Sequence, residues 1–542
     1  MNAPELLDLQ NRQIESAYDT KPYTSQAFSY AGPGHLRAVA HLYGMQTVPL
    51  AQARVLELGC ASGGNLLPFA LAYPDATVVG VDISSVQIAH GRQVVQDLGV
   101  GNLQLHALDL HAITADFGQF DYIIVHGVFS WVPPEVKQAI LRICRENLSP
   151  LGVAYVSYNT YPGWKAGDVV RDAMLMHSHG AQDDDERLAR ARAMLGLLTD
   201  GLAGENRLGP SMRAVVESLS AQSDYYIIHE YLEQFNTPCY LVEFADMAAQ
   251  AGLAYLGDAE PQAELPASYG QKVQLNLSLV ALGQPKVMRQ QYLDFAVGRT
   301  FRKSLLVHGE RIDEILSQPD LARLRDLRFA GYFKRLNDDE RPGRKYHSKR
   351  NQDIRSTEPS MQCIMEALHR AWPRTLTFDA LCQEALTQGI ARAENTADIV
   401  QGELAKLLQH SLLHYALEPV PYDLYRSRSA RILPGFCYLH NAGQDPAFTT
   451  DCFNFWHESV KVETDQAQAW LLAQLGDGTD IRQASALLIR ALQRGIVPGP
   501  EGVDLTGQRN LEPVVQRILN RLLIALRQCG LILEQDGNAP NE

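Results

Sequence analysis

Three carboxylates stand where strands would end: Glu57 in RVLELG (54–59), Asp82 in TVVGVDIS (77–84) and Asp109 in LQLHALDL (103–110). Behind the first comes a glycine turn, Gly59 to Gly64, leading into the helix-like run NLLPFA. Gly59, Gly63 and Gly64 carry no side chain to keep a ligand off the backbone, and the helix behind them directs unpaired N–H groups at whatever sits there. Glu57, ahead of the first glycine, obstructs a pyrophosphate and suits an ammonium. Asp82 can accept both hydroxyls of a ribose, and Asp109 can accept from an adenine amino group. Ammonium, ribose and adenine without phosphate describe S-adenosylmethionine, with Cys60, Ala61, Asn65, Ile83, Leu110 and His126 completing the predicted contact set. Two other readings compete. A dinucleotide fingerprint, GxGxxG/A, also begins with a strand and reaches its acid about 20 residues later, and each acid alone could be a solvated strand end or a helix cap.

With a sulfonium cofactor the activated carbon comes from the cofactor, so the protein has only to bring a nucleophile into line with the S–CH3 bond. A lysine amine would have to arrive neutral although its free pKa is about 10.4, which an apolar, aromatic slot favours. Aromatic residues cluster at the expected mouth: Tyr18, Tyr23, Phe129, Trp131, Tyr158, Tyr161 and Trp164. Tyr18, Tyr23, Trp131 and Trp164 are assigned to a substrate tunnel, with ordinary packing as the alternative for Phe129 and Trp131. The catalytic set is His126, Tyr158, Asn159 and Tyr161. His126 could relay a proton or be a hydrogen-bonded core residue, and Asn159 could hold the nucleophile. His229 and Glu230 read as residues that fix an insertion. Cys452 and His457 are five apart with no second pair to complete a metal site, so they receive no chemistry and no metal is expected.

These residues need strands to present them. The runs at 54–59, 77–84, 103–110, 120–128 and 152–159 read as five strands, several apolar enough to be covered on both faces as in a parallel sheet. Pro134 opens a helix between the last two. Such a doubly wound α/β fold binds ligands at the carboxyl ends of its strands. After residue 310 the alternation stops. The polar stretch 338–353 reads as an exposed loop or linker, and from Ser360 three amphipathic helix patterns lead into a β-like tail.

A chain of 542 residues implies two to four domains. The composition, 46% hydrophobic and 20% charged, is that of a soluble globular protein, and a formal charge of -14 argues against nucleic acid as the main partner. Eight cysteines without a CxxC pair suggest free thiols, mostly buried. The start has no basic leader with an apolar core, and no run is long enough to span a bilayer, so a cytoplasmic location is expected.

The series of acids at 57, 82 and 109 resembles the class I S-adenosylmethionine-dependent methyltransferases, departing at Ala61, where that class usually has a second glycine. YDTKPYTSQAF (18–28), DYIIVHGVFSWVP (121–133), VSYNTYPGW (156–164), IIHEYLEQFNTPCYLVEF (227–244) and YLDFAVGRTFRKSLL (292–306) together resemble one bacterial branch. Its members carry an appended methyltransferase regulatory domain, and it includes rickettsial-type protein-lysine methyltransferases acting on outer-membrane proteins. The resemblance implies an α/β, Rossmann-like core over 1–164 and 231–310, with strand six near 252–260 and an antiparallel seventh near 302–308. It further implies a helical cap and dimerisation insertion at 165–230, a linker at 311–355, a winged-helix-like middle domain at 356–424 and an α+β accessory domain at 425–535. Protein lysine is the implied acceptor and a homodimer the implied assembly. A small molecule or carbohydrate precursor remains an alternative acceptor. A nicotinamide oxidoreductase and a non-catalytic winged-helix regulator are the rival classes.

Overall fold

The computed structural model describes residues 25–233, 235–337, 341–424, 431–435, 449–476 and 481–533. Tyr18, Tyr23, Cys437 and the C-terminal tail lie outside the described residues.

Each apolar run of the first third forms a strand: β1 Arg54–Leu58, β2 Thr77–Asp82, β3 Leu103–Ala107, β4 Phe120–Val125 and β5 Leu148–Asn159. Every residue of β4 is buried, as a strand between two helical layers requires. Strands β6 (Leu253–Asp258) and β7 (Phe301–His308) follow where the family resemblance implies them. The sheet has seven strands in the order β3-β2-β1-β4-β5-β7-β6. Strand β7 runs antiparallel to both of its neighbours. The helix Pro134–Glu146 buries Val136, Ala139, Ile140, Ile143 and Cys144 at helical spacing, with Leu141 widening the apolar face. It stops at Asn147, whose side chain donates to the carbonyls of Thr114 and Gly118. Strand β5 therefore starts four residues before the expected 152.

The chain divides into two compact units, residues 109–318 and residues 1–108 together with 319–542. In the unit formed by both ends of the chain, β1 to β3 pair in parallel, with Val55 opposite Val78 and Val79 opposite Gln104. Residues 311–355, expected as a linker, instead contribute strands. β8 (Arg328–Ala330) pairs with β12 (Leu376–Thr377) and β13 (His414–Ala416). β10 (Arg344–Ser348) pairs with β9 (Phe333–Arg335) and forms with β11 (Asp353–Ser356) a hairpin in place of the expected loop. Alternation decides this: Tyr346 and Ser348 point inward and are buried, while charged neighbours face out. Helices Pro359–Ala371, Phe378–Thr387 and Thr396–Gln409 match the three helical patterns. After the short β14 (Arg431–Ile432), the C-terminal segment packs the hairpin β15 (Thr449–Phe453) and β16 (Ser459–Glu463) with three helices around Trp372, Trp456, Leu471, Leu488 and Leu522, and Leu71 of the early helix Leu67–Ala72 packs against this core.

In the other unit, four helices lie between β5 and the helix Leu241–Gln250 that leads into β6: Trp164–Ser178, Asp184–Asp200, Gly209–Ser220 and Asp224–Tyr231. They enclose their own apolar core of Val170, Met174, Ala191, Leu195, Met212, Val216 and Ile227. Asp183 and Ser223 cap two of them through side chains that accept from Glu186 N–H and Tyr226 N–H. Below them the fully buried Arg302 of β7 donates to Asp294 at 2.6 Å and to Tyr255 Oη at 2.9 Å. It lies 3.5 Å from Glu264 and 3.7 Å from Asp258. Removing one member of such a buried cluster typically costs about 3–5 kcal/mol, so Arg302 locks β7 to the helix Lys286–Val297.

Among the described residues no helix is long and apolar enough to cross a membrane, and no group of three or more His, Cys, Asp or Glu could hold a metal ion.

Candidate functional site

At the end of β1 the chain reverses through backbone angles that favour glycine: φ is +76° at Gly59, +50° at Ala61 and +80° at Gly63. Ala61 thus occupies a left-handed position at a cost of roughly 1–2 kcal/mol, which explains why a glycine is usual there. The N–H groups of Gly59 and Cys60 donate to Val81 O at 2.8 and 3.1 Å, fastening the turn to β2. Asp82 finishes the fastening. Its Oδ2 accepts from Ala61 N–H at 2.8 Å and its Oδ1 from Ser84 N–H at 2.9 Å.

The clearance at Gly64 is not left for a ligand, as the sequence suggests, but is filled by protein. A Cβ on Gly64 would stand 2.7 Å from Ser25 O and Oγ, and Gly64 N–H donates to that hydroxyl at 2.7 Å. A Cβ on Gly63 would meet the Leu105 side chain at 3.1 Å. Cys60 is buried, and burial, then the charges of Asp82 and Glu57, hold its thiol well above the ordinary range. Ile83 and Leu110 are partly exposed.

Glu57 is 3% exposed. Its Oε1 accepts from Asn65 Nδ2 at 2.8 Å, while its Oε2 is buried without a hydrogen-bond partner. Burial pushes its pKa up to about 8 against the Asn65 hydrogen bond, with Asp82 adding to the rise. An unpartnered carboxylate oxygen in a dry site fits a cationic donor such as an ammonium. Asn65 also accepts, through Oδ1, from Phe28 N–H at 3.0 Å, and its Oδ1 is 2.9 Å from His457 Nε2. Sequence reasoning missed Ser25 and His457 here. No local signal could have found them, since the His457 contact spans 392 residues.

Asp109 follows β3 by two residues and takes the cap arrangement: it accepts from His111 N–H at 2.8 Å and lies 2.9 Å from His111 Nδ1.

In the unit of residues 109–318, alternation along β5 sorts the predicted catalytic residues. Tyr155, Ser157 and Asn159 share one face and Tyr158 the other. His126 follows β4, with Nδ1 at 3.0 Å from Tyr155 Oη and 3.1 Å from Ser157 Oγ. Ser157 Oγ already accepts from Gly127 N–H, so its own proton is available to His126. Burial, then the charge of Lys303, holds the imidazole far below its usual pKa and neutral. Asn159 Nδ2 donates to Asn236 Oδ1 at 3.1 Å, and Asn236 Nδ2 is buried and unpartnered. Tyr158 does not join them. It is fully buried, stacked on Phe244 with ring centroids 4.2 Å apart, beside Phe129, with its hydroxyl paired to Ser304 Oγ.

Tyr161 donates to Asp168 at 2.8 Å and packs on Tyr240, and Lys165 Nζ lies 3.6 Å from the Tyr161 ring centre. Trp164, assigned to the tunnel, is stacked on Tyr231 within the core of the helical insertion. Trp131 is partly exposed. A groove of about 540 Å³, lined by Tyr269, Val273, Arg299, Phe301 and Lys303 among others, adjoins the end of β5, where Phe301 pairs with Asn159. The sequence reading did not single it out.

This strand order, with its antiparallel seventh strand and acid-bearing glycine turn, defines the class I methyltransferases, and the protein is an S-adenosylmethionine-dependent methyltransferase. A methyltransferase-domain profile matches residues 55–152, and one described as "Predicted methyltransferase regulatory domain" matches residues 223–308. An uncharacterized protein of Rickettsia prowazekii, RP789, is 34% identical over 379 residues, which is 68% of each chain. A second, RP028, is 37% identical over 235 residues, covering 43% of this chain and 93% of its own. The structure of PKMT2 from Rickettsia typhi, solved alone and with AdoHcy, is similar with a TM-score of 0.82 and 25% identity, over 94% of this chain and 100% of that one. The chain belongs to the family of methyltransferases that carry a methyltransferase regulatory domain.

Proposed function

We propose that the protein methylates lysine side chains of a protein acceptor, holding the ammonium of its cofactor at Glu57 and the ribose at Asp82. The buried, unpartnered Oε2 of Glu57 carries this reading, because it is a carboxylate oxygen beside the glycine turn with no donor among the described residues. When bound, S-adenosylmethionine supplies a methyl group already activated for displacement. The chain's residues then bind and orient. Asp82 keeps the turn closed through two backbone N–H groups and, as a carboxylate at the end of β2, is of the chemistry that accepts from ribose hydroxyls. Neutral His126, with Tyr155 and Ser157 at Nδ1, orients rather than accepts a proton.

Two observations support a lysine acceptor. The sequence motifs resemble the rickettsial-type protein-lysine methyltransferases, and the similarity to PKMT2 of Rickettsia typhi extends over nearly the whole chain. Tyr161 and Tyr240 already receive an ammonium, that of Lys165, at cation–π distance. In this reading the four helices of residues 164–231 form the cap and dimerisation element, and the helices of 359–409 with β8, β12 and β13 form a winged-helix-like middle domain. Hydrolysing protein labelled by methyl-labelled cofactor in a cell extract should yield N-methyl-lysine. Label confined to low-mass products would overturn the lysine reading in favour of a small-molecule acceptor, for which the groove has a suitable volume.

A further inference from the structure

We infer that His457, contributed by the turn between β15 and β16, is a positioning residue that sets the Glu57 carboxylate for the cofactor's ammonium. This rests on the reading of Glu57 given above.

The directions of the hydrogen bonds follow from one another. Phe28 N–H can only donate, so the Asn65 atom facing it is the oxygen and the other end of the amide is the donor. That end meets Glu57 Oε1. His457 Nε2 faces the same oxygen, so it must carry the proton and donate. Burial drives the His457 pKa down to about 4, leaving a neutral ring with one N–H to give. The chain His457 to Asn65 to Glu57 Oε1 thereby leaves Oε2 as the oxygen presented to a ligand. Asn65 cannot reverse its amide without setting donor against donor at both Phe28 and His457 and acceptor against acceptor at Glu57, which fixes the carboxylate's partner.

The turn is built to hold His457 in place. His457 has φ +57°, a strained conformation for a residue with a side chain. Its N–H donates to Asn454 O at 3.0 Å, and Asn454 Oδ1 accepts from Trp456 N–H at 2.9 Å. Ring and backbone approach closely: a Cβ on Gly32 would come within 3.0 Å of His457 Cγ. Next to it, Ser459 Oγ accepts from Ala27 N–H at 2.9 Å and donates to Ala27 O at 3.2 Å. Residues 25–32 are thus a strap clamped between the glycine turn and the C-terminal hairpin, and His457 reaches past it to Asn65.

The test uses the full chain and two ligands measured by calorimetry, S-adenosylhomocysteine and 5′-methylthioadenosine, which lacks the amino-acid end. His457→Phe should weaken S-adenosylhomocysteine about tenfold and leave 5′-methylthioadenosine within about twofold, while His457→Gln, whose amide can reach the Nε2 position, stays within about threefold for both. In a Glu57→Gln background, His457→Phe should add nothing. Equal losses for both ligands, or none for either, would overturn the inference. Loss in Glu57→Gln with His457→Phe unaffected would overturn it while sparing the reading of Glu57. No selective loss in Glu57→Gln would remove both. Should His457→Phe fail to fold, Gln against Asn decides: tighter binding with Gln supports the role, and equal binding defeats it.

Discussion

At the end of β1, Glu57 keeps one carboxylate oxygen buried and unpartnered. At the ends of β4 and β5, most side chains that look catalytic in the sequence are already paired: Tyr158 with Ser304, Tyr161 with Asp168, His126 with Tyr155 and Ser157. An unsatisfied buried acceptor costs about 1–3 kcal/mol, and a fold retains it where a ligand supplies the missing donor. A closed pair needs no ligand to explain it. Residue type and position near a strand end therefore do not separate chemistry from architecture here, but the state of hydrogen bonding does. Asn236, with its buried amide nitrogen unpartnered beside Asn159, shares this character of Glu57.

The sharpest attack on this comparison is Glu57→Gln, which should weaken S-adenosylhomocysteine about 100-fold by calorimetry, in keeping with the loss of a buried charge-assisted pair. Next comes pH. With its pKa lifted from 4.5 to about 8, Glu57 is mostly protonated at neutrality in the ligand-free protein and must lose that proton to meet an ammonium. Affinity should therefore rise about tenfold per pH unit from 6 towards 8 and level off above it, and a flat wild-type profile would break the argument. The same shift has a stability consequence of opposite sign. Between about 4.5 and 8 the folded state holds a proton that the unfolded chain has released, so ligand-free stability falls as pH rises through that window. Glu57→Gln should melt higher than wild type at pH 8.

Asp82→Ala should lower stability by about 2 kcal/mol as well as affinity, because the N–H groups of Ala61 and Ser84 lose their acceptor; denaturant melts would expose the effect. Tyr158→Phe tests the closed pairs: about 1 kcal/mol of stability lost with Ser304, and a turnover rate within about twofold. A large fall in turnover would return Tyr158 to the chemistry. The smallest effect is expected for Ala61→Gly, a gain of up to about 1 kcal/mol from relief of the left-handed backbone.

The strands were legible because both-face burial leaves unbroken apolar runs, and the places of Glu57 and Asp82 near strand ends because they depend only on local spacing. Asp109 was legible as an acid at a strand end, and the helix cap that the sequence offered as its alternative reading is the arrangement it takes, on His111. That Tyr158 and Asn159 face opposite ways was available from strand alternation alone. Gly64 was misread because its neighbour, Ser25, comes from 39 residues away and is fixed only by the folded strap. The hairpin at 344–356 was hidden by its charges, since of its strand residues only Tyr346, Ser348 and Ser356 are buried. His457 was beyond reach of any pattern, for its partner lies in the first seventh of the chain.

That last contact has a bearing on biosynthesis. Translation at about 5–20 residues per second separates the emergence of Asn65 from that of His457 by roughly 20 to 80 s, a distance of 392 residues along the chain. The earliest strands leave the ribosome long before the hairpin that completes their turn, so the nascent protein passes through a long interval in which the core can form but its cofactor carboxylate is not yet braced.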